Sequence, residues 1–112
     1  MRTTKMFVFV LALFLCTVTS AYSQVVNDFD GDGKSDILWR NTTTGGIVIW
    51  LMNGNAIKSS GSVANGLSSD WQITGIGDFN GDGKADILFQ NANGDVAMWL
   101  MNGSSITSNS YV

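Results

Sequence analysis

The apolar residues after position 34 fall into short runs of strand length, each followed by glycine, asparagine or serine residues that favour turns. No run beyond residue 24 has the spacing of three to four residues that an amphipathic helix shows. The pattern therefore predicts an all-β chain. The predicted strands cover residues 35–41, 47–52, 56–60, 71–76, 85–90, 96–101 and 106–110.

One of these runs, residues 47–52, is apolar at every position rather than at alternate positions. A strand of this kind needs apolar neighbours on both of its faces. Sheets covered on both faces occur in β-propellers, where each four-stranded blade lies between two others. The pattern therefore favours propeller-like packing of the predicted sheets.

Two segments of the chain repeat one another at a distance of about fifty residues. Residues 28–38 match residues 78–88 at nine of eleven positions. Residues 49–54 match residues 98–103 at five of six. Such agreement indicates one structural unit present twice.

The repeat predicts two four-stranded antiparallel blades, one in residues 24–64 and one in residues 65–112. The first blade lacks most of its first strand, because the stretch equivalent to residues 71–77 falls in the amino-terminal segment. The expected fold is therefore a partial β-propeller.

The first 23 residues have the composition of a signal peptide. Two basic residues precede an apolar run at residues 6–16, which is too short for the ~20 residues of a spanning helix. Small residues follow, and cleavage is expected after Ser23. A lipoprotein signal at Cys16 is the alternative, but three large residues precede that cysteine. We expect a secreted, extracellular or periplasmic protein with no membrane span after signal removal.

The charge of the remaining chain is strongly acidic. All nine acidic residues are aspartates, and only four basic residues follow residue 23, which leaves a net charge of −5 on residues 24–112. This charge disfavours a nucleic-acid partner. The only cysteine leaves with the signal, so no disulfide can form, and a small exported domain then needs another cross-link such as a metal ion.

Each repeat contains a loop with side-chain oxygens at positions one, three, five and nine, counted from Asp28 in loop one (residues 28–36) and from Asp78 in loop two (residues 78–86). Such alternation suits a hard cation that takes six to eight oxygen ligands. Glycine at position six permits the sharp turn. With no histidine or cysteine after residue 24, calcium is expected at two sites. The predicted ligands, with the carbonyl oxygen at position seven, are Asp28, Asp30, Asp32, Lys34 and Asp36, then Asp78, Asn80, Asp82, Lys84 and Asp86.

The loops are not EF-hands, because Trp39 and Phe89 stand at position twelve, where an EF-hand has glutamate. The aspartate at position nine is then expected to close each site. The alternative interpretation is that the Asp-Gly clusters are hairpin turns without a cation. Loop one has four carboxylates and loop two has three, which favours the first site on charge, while the truncated strand before loop one opposes it.

The loops and strands resemble the FG-GAP or VCBS family of repeats over nearly all of residues 25–112. That family builds the seven-bladed propellers of integrin α subunits and of certain fungal and bacterial lectins. The resemblance implies a calcium loop between the first and second strands of each blade, with the ligands given above. The FG-GAP motif itself is replaced by residues 76–79, IGDF, and the chain holds about one and three-quarter copies.

The resemblance implies adhesion, sugar binding or an accessory role beside secreted hydrolases. We expect a calcium-binding module for extracellular adhesion or recognition, with glycans or extracellular proteins as partners. The alternative is a truncated or accessory fragment of a larger propeller or hydrolase with no ligand of its own. Trp50 and Trp99 lie in apolar strands and are expected in the core, whereas Trp71 is the candidate for an exposed sugar platform.

An enzyme is not expected, because the chain after the signal has no histidine, cysteine or glutamate. The two aspartates outside the loops, Asp70 and Asp95, both fit turn positions. Because two blades leave apolar faces uncovered, self-association that completes a propeller is expected.

Overall fold

The computed structural model describes residues 26–112, and the predicted signal peptide at residues 1–23 lies outside this range. The described chain contains seven β-strands and no α-helix, so no helix in it is long and apolar enough to cross a membrane. The strands are β1 (Ile37–Arg40), β2 (Ile47–Asn53), β3 (Ala56–Ala64), β4 (Trp71–Gly77), β5 (Asp86–Asn91), β6 (Val96–Asn102) and β7 (Ser105–Tyr111).

The strands form two antiparallel sheets, one for each sequence repeat. The first has the order β1-β2-β3 and the second the order β4-β5-β6-β7. The all-β class and the pair of blades, the first one truncated, are thereby confirmed. Within the described residues no strand covers the outer edge of β1, whereas β4 covers the same edge of β5.

The predicted strands agree closely with those observed, except that β1 covers only Ile37–Arg40 instead of residues 35–41, and β3 continues to Ala64 instead of ending at residue 60. A register shift between Ile47 and Val48 lets Ile47 pair with Ala64, so the irregularity prolongs the ladder. Strand length here depends on the partner strand, which the local sequence does not report.

The hydrophobic core lies between the two sheets. Its fully or almost fully buried members come from both repeats: Phe29, Ile47, Ile49, Ala85, Ile87, Phe89 and Met101. Because neither sheet contains a core of its own, the blades stabilise one another.

The prediction that both faces of the first blade are covered is wrong for the chain by itself. Ile47 and Ile49 in β2 are buried against the second blade, whereas the intervening Val48 and Trp50 are half-buried. Residues 26–112 supply only one neighbouring blade, so only one face of the strand is fully covered.

The segment between the sheets, residues 65–70, is fastened to the first blade. The Arg40 guanidinium donates to the carbonyl of Ser68 at 3.0 Å and also to that of Trp71. The Leu67 N–H donates to the Gly45 carbonyl at 3.1 Å. A side chain at Gly45 would collide with the Leu67 backbone, so glycine allows this close approach.

Candidate metal centre

The first aspartate of each loop organises the turn that follows it. In loop one, Asp28 Oδ1 accepts the N–H groups of Gly31 at 2.8 Å and Asp32 at 3.2 Å. Its Oδ2 accepts the N–H of Gly33 at 2.9 Å. Three successive amides thus point at one carboxylate, which curls the loop around it.

Loop two repeats this arrangement. Asp78 Oδ1 accepts from Gly81 at 2.8 Å and Asp82 at 3.1 Å, and its Oδ2 accepts from Gly83 at 2.8 Å. The second glycine of each loop has a positive φ, 86° at Gly33 and 85° at Gly83, which an L-residue adopts only with strain. The turn predicted for position six is therefore present in both loops.

The aspartate at position nine joins its loop to a neighbouring strand. Asp36 Oδ2 accepts the N–H of Phe29 at 2.8 Å, and its Oδ1 accepts the N–H of Met52 in β2 at 2.8 Å. Asp86 does the same with Phe79 at 3.0 Å and Met101 at 2.9 Å. Both aspartates are almost completely buried. The sequence predicted a closing ligand here and gave no sign of these backbone bonds, because the partners in β2 and β6 lie about fifteen residues away.

Three carboxylates converge in each loop. Asp28, Asp30 and Asp36 offer oxygens that all lie within 4.8 Å of one another, and so do the first, fifth and ninth positions of loop two. Asp30 Oδ1 is buried and has no hydrogen-bond partner within the described chain. A buried carboxylate oxygen without a donor is destabilising unless a cation approaches it. The residues present therefore fit a cation of the kind the sequence predicts.

Among the other predicted ligands, Asp32 lies outside the cluster of Asp28, Asp30 and Asp36 and pairs with Lys58 instead. Loop two carries the neutral amide of Asn80 where loop one carries Asp30. The N–H groups of Lys34 and Lys84 each donate to the aspartate two residues earlier at 2.9 Å. Metal ligation by the carbonyl oxygens of these two lysines stays a prediction.

The local electrostatics differ from group to group. Burial raises the pKa of the Asp36 carboxyl, and the charges of Asp30 and Asp28 add to the effect. The hydrogen bond from the Gly83 N–H lowers the pKa of Asp78. A cation bound among these carboxylates would offset the charge repulsion that adds to the effect of burial on the pKa of Asp36.

Loop one also contacts a cation that belongs to the chain itself. Lys58 Nζ on β3 lies 2.7 Å from Asp30 Oδ2 and 2.7 Å from Asp32 Oδ2. The hydrogen bond from Lys58 is the main reason that the pKa of Asp32 falls to about 2. Sequence reasoning missed this contact. The repeat gave no sign of it, because the second blade holds neutral Thr107 at the position equivalent to Lys58 and neutral Asn80 at the position equivalent to Asp30.

A sequence model described as an FG-GAP-like repeat matches residues 28–89. The chain belongs to the FG-GAP-like repeat family. The match starts at the first aspartate of loop one and ends in β5, so it includes both loops. Searches of curated proteins and of solved structures gave no significant match.

The tryptophans of this FG-GAP-like chain are not exposed in the order predicted. Trp71 is half-buried and packs against the core, whereas Trp39 is 49% exposed and stacks edge-on against Trp50 at 5.1 Å. Trp50 and Trp99, predicted to be core residues, are half-buried, and of the two Trp99 packs against the core. The difference arises because Trp39 and Trp50 lie on the face of the first blade that has no neighbouring blade.

Two substitutions in loop one test the structural role of the buried aspartate. Both Asp36→Asn and Asp32→Asn remove one negative charge from the loop. Asp36→Asn also sets an amide N–H₂ group against a backbone N–H, so we expect it to lower the free energy of unfolding by about 2 kcal/mol. Asp32→Asn, at an exposed site, should have a clearly smaller effect. Urea unfolding with a chelator present measures both without a contribution from metal. Equal losses would contradict the role given to Asp36.

Proposed function

We propose that this FG-GAP-like chain is a secreted calcium-binding module of the β-propeller type that serves adhesion or recognition outside the cell. The proposal is carried by one observation: two loops with the same internal hydrogen bonds each gather three carboxylates within 4.8 Å. Export relies on the signal-like composition of residues 1–23.

The chemistry of the donors supports calcium. Every candidate ligand atom is an oxygen, and the chain has no histidine or glutamate. Calcium takes six to eight oxygens at about 2.3 to 2.6 Å and tolerates irregular geometry, whereas magnesium requires a near-ideal octahedron and zinc is favoured by nitrogen or sulfur. Asp28, Asp30 and Asp36 would hold the ion in loop one, and Asp78, Asp82 and Asp86 in loop two. When bound, the ion would neutralise the clustered carboxylates.

The proposed calcium has a structural task. Asp36 is bonded at once to Phe29 in the loop and to Met52 in β2, and a cation on its carboxylate would add a third connection. Phe29 itself is fully buried between the blades. Calcium in loop one would thus fix both the first sheet and its contact with the second.

Recognition is supported by an aromatic groove on the second blade. The groove has a volume of about 370 Å³ and is lined by Trp71, Tyr111 and Trp99 together with polar Asn109 and Ser110. The Trp71 and Tyr111 rings lie 5.9 Å apart, and Tyr111 is 68% exposed. An open aromatic surface with amide and hydroxyl groups beside it is suited to a sugar ring, because apolar faces stack and hydroxyls bond. We therefore include carbohydrate among the ligands of this module.

The proposal is for binding and not for catalysis. Asp70 and Asp95, the aspartates outside the loops, are exposed residues beside turns, and Asp95 Oδ2 accepts a bond from the Asn93 amide at 3.2 Å. The competing proposal is a structural fragment without a ligand of its own. Ligand binding in the aromatic groove would distinguish the two proposals.

Calcium binding is tested by titration of protein lacking residues 1–23 after treatment with a chelator. We expect calorimetry to give two calcium ions per chain and calcium to raise the melting temperature by several degrees, because only the folded loops gather the ligands. Asp30→Ala and Asp82→Ala should each remove one ion, and the double variant both. Magnesium is the control and should bind more weakly. Two ions retained by the double variant would contradict the assignment.

The lysine beside loop one should make the two sites unequal. Lys58→Thr removes a positive charge that lies 2.7 Å from two carboxylates, and it should increase the calcium affinity of loop one about tenfold. Thr107→Lys is the matched variant, and it should weaken loop two to a similar degree. Titrations in an Asp82→Ala or an Asp30→Ala background report each loop separately. Unchanged affinities in both would show that Lys58 leaves the site freely.

The groove is tested on a glycan array with the calcium-loaded protein. Tyr111→Ala removes an exposed stacking ring, and we expect about a tenfold loss of binding to any retained glycan. Gln72→Ala, an exposed change on the same strand as Trp71, is the control and should bind like the unmodified protein. If no glycan is retained, the fragment proposal is favoured.

A further inference from the structure

Each blade presents one face to the other blade and one face to solvent. In the first blade, register places Ile37 opposite Trp50 and Trp39 opposite Val48, on the side away from the buried Ile47 and Ile49. With Ile57, these residues form what we call the first open face: Ile37, Trp39, Val48, Trp50 and Ile57. Ile57 is equivalent to Ile106, which packs against the core on the side of the second blade that faces the first. The corresponding side of the first blade is the open one, so Ile57 lies on the first open face.

In the second blade, the side equivalent to the first open face is covered by the first blade, and the opposite side of the sheet faces solvent. Ile87 and Phe89 face the first blade, so Leu88 and its partner Met98 point away from it. The residues on this outer side form the second open face: Phe79, Leu88, Val96, Met98 and Leu100. Both open faces are therefore apolar.

The contact between the two blades shows what the first open face can bind. Its residues Ile37 and Trp39 are 38% and 49% exposed. The equivalent residues of the second blade, Ile87 and Phe89, are 0% and 1% exposed, because the first blade covers them. The first open face is thus equivalent to the face of the second blade that the first blade covers, but no blade covers it within the described residues.

The second open face shows the complementary relation. Phe29, in loop one, is 0% exposed because it is enclosed between the blades, whereas its equivalent Phe79 is 47% exposed. Ile47 is likewise fully buried, while its equivalent Val96 is half-buried. The second open face thus repeats the surface with which the first blade covers the second.

Polar groups are repeated along with the apolar ones. Two backbone hydrogen bonds cross between the blades, from Ala85 N–H to the Asp28 carbonyl at 2.7 Å and from Gly103 N–H to the Phe29 carbonyl at 2.8 Å. The equivalent carbonyls, those of Asp78 and Phe79, border the second open face. The equivalent donors, the N–H groups of Ser35 and Gly54, are on exposed residues that border the first.

We propose that the second open face of one chain binds the first open face of another copy, with the geometry that already joins the two blades within a chain. The interface is head-to-tail, so every chain uses two different surfaces. Residues 26–112 of each chain form two blades and propellers have about four to eight, so a closed ring built from these blades would contain about two to four chains.

The test uses variants that disable one face each. Trp39→Ser alters the first open face and Phe79→Ser the second, and both side chains are about half exposed, so neither change opens a cavity in the core. Native mass spectrometry and sedimentation of the calcium-loaded protein, with residues 1–23 removed, give the number of chains. We expect the unmodified protein to be oligomeric, each variant to be monomeric, and an equimolar mixture of the two variants to form a dimer and nothing larger.

The dimer of variants is specific to a head-to-tail interface. The Phe79→Ser chain retains an intact first face and the Trp39→Ser chain an intact second face, so they join once and then stop. Ala92→Ser, in the exposed β5–β6 turn, is the control and should keep the mass of the unmodified protein. Far-ultraviolet circular dichroism verifies that the variants retain their sheets. An unmodified protein that is monomeric, a single variant that still associates, or a mixture that stays monomeric would each overturn the proposal.

Discussion

The structure depends on two buried carboxylates, Asp36 and Asp86. Each accepts one N–H from the loop before it and one from β2 or β6, the strand that pairs with β1 or β5, so the loop and these two strands are held at one point. Such a group is stable in the interior only while its hydrogen bonds are formed. In loop one the bond to Asp36 holds the backbone of Phe29, whose side chain is fully buried between the blades.

The same constraint gives the loops their acidic character. The chain has no glutamate and no disulfide to join distant segments, and it concentrates seven of its nine aspartates in two short loops. Burying carboxylates side by side raises the free energy of the charged state, as the raised pKa of Asp36 shows. In loop one this repulsion is offset by Lys58, which lies 2.7 Å from two of the carboxylates. In loop two the repulsion is smaller, because neutral Asn80 replaces Asp30, and neutral Thr107 stands at the position of Lys58.

Nearly identical sequences in the two blades have different environments. Phe29 and Phe79 occupy the same position of the same loop, yet one is buried and the other is half exposed. The cause is position along the stack of blades, because each blade buries the face that meets its neighbour and leaves the other to solvent. A blade of this family is therefore a unit whose stability depends on what lies beside it.

The sequence by itself determined the positions of the strands, the turn at Gly33 and Gly83, and the convergence of carboxylates, because these arise from patterns within about a dozen residues. It also determined the pair of repeats, because residues 28–38 recur almost unchanged at residues 78–88. It did not determine which face of a strand is buried, since residues 47–52 are apolar throughout and only the presence of one neighbouring blade leaves Trp50 half-buried and Trp39 exposed. Nor did it indicate that Lys58 would reach Asp30, 28 residues away, or that Tyr111 would lie beside Trp71. Those contacts were decided by the tertiary structure, because strand pairing and blade packing bring together residues that no local pattern connects.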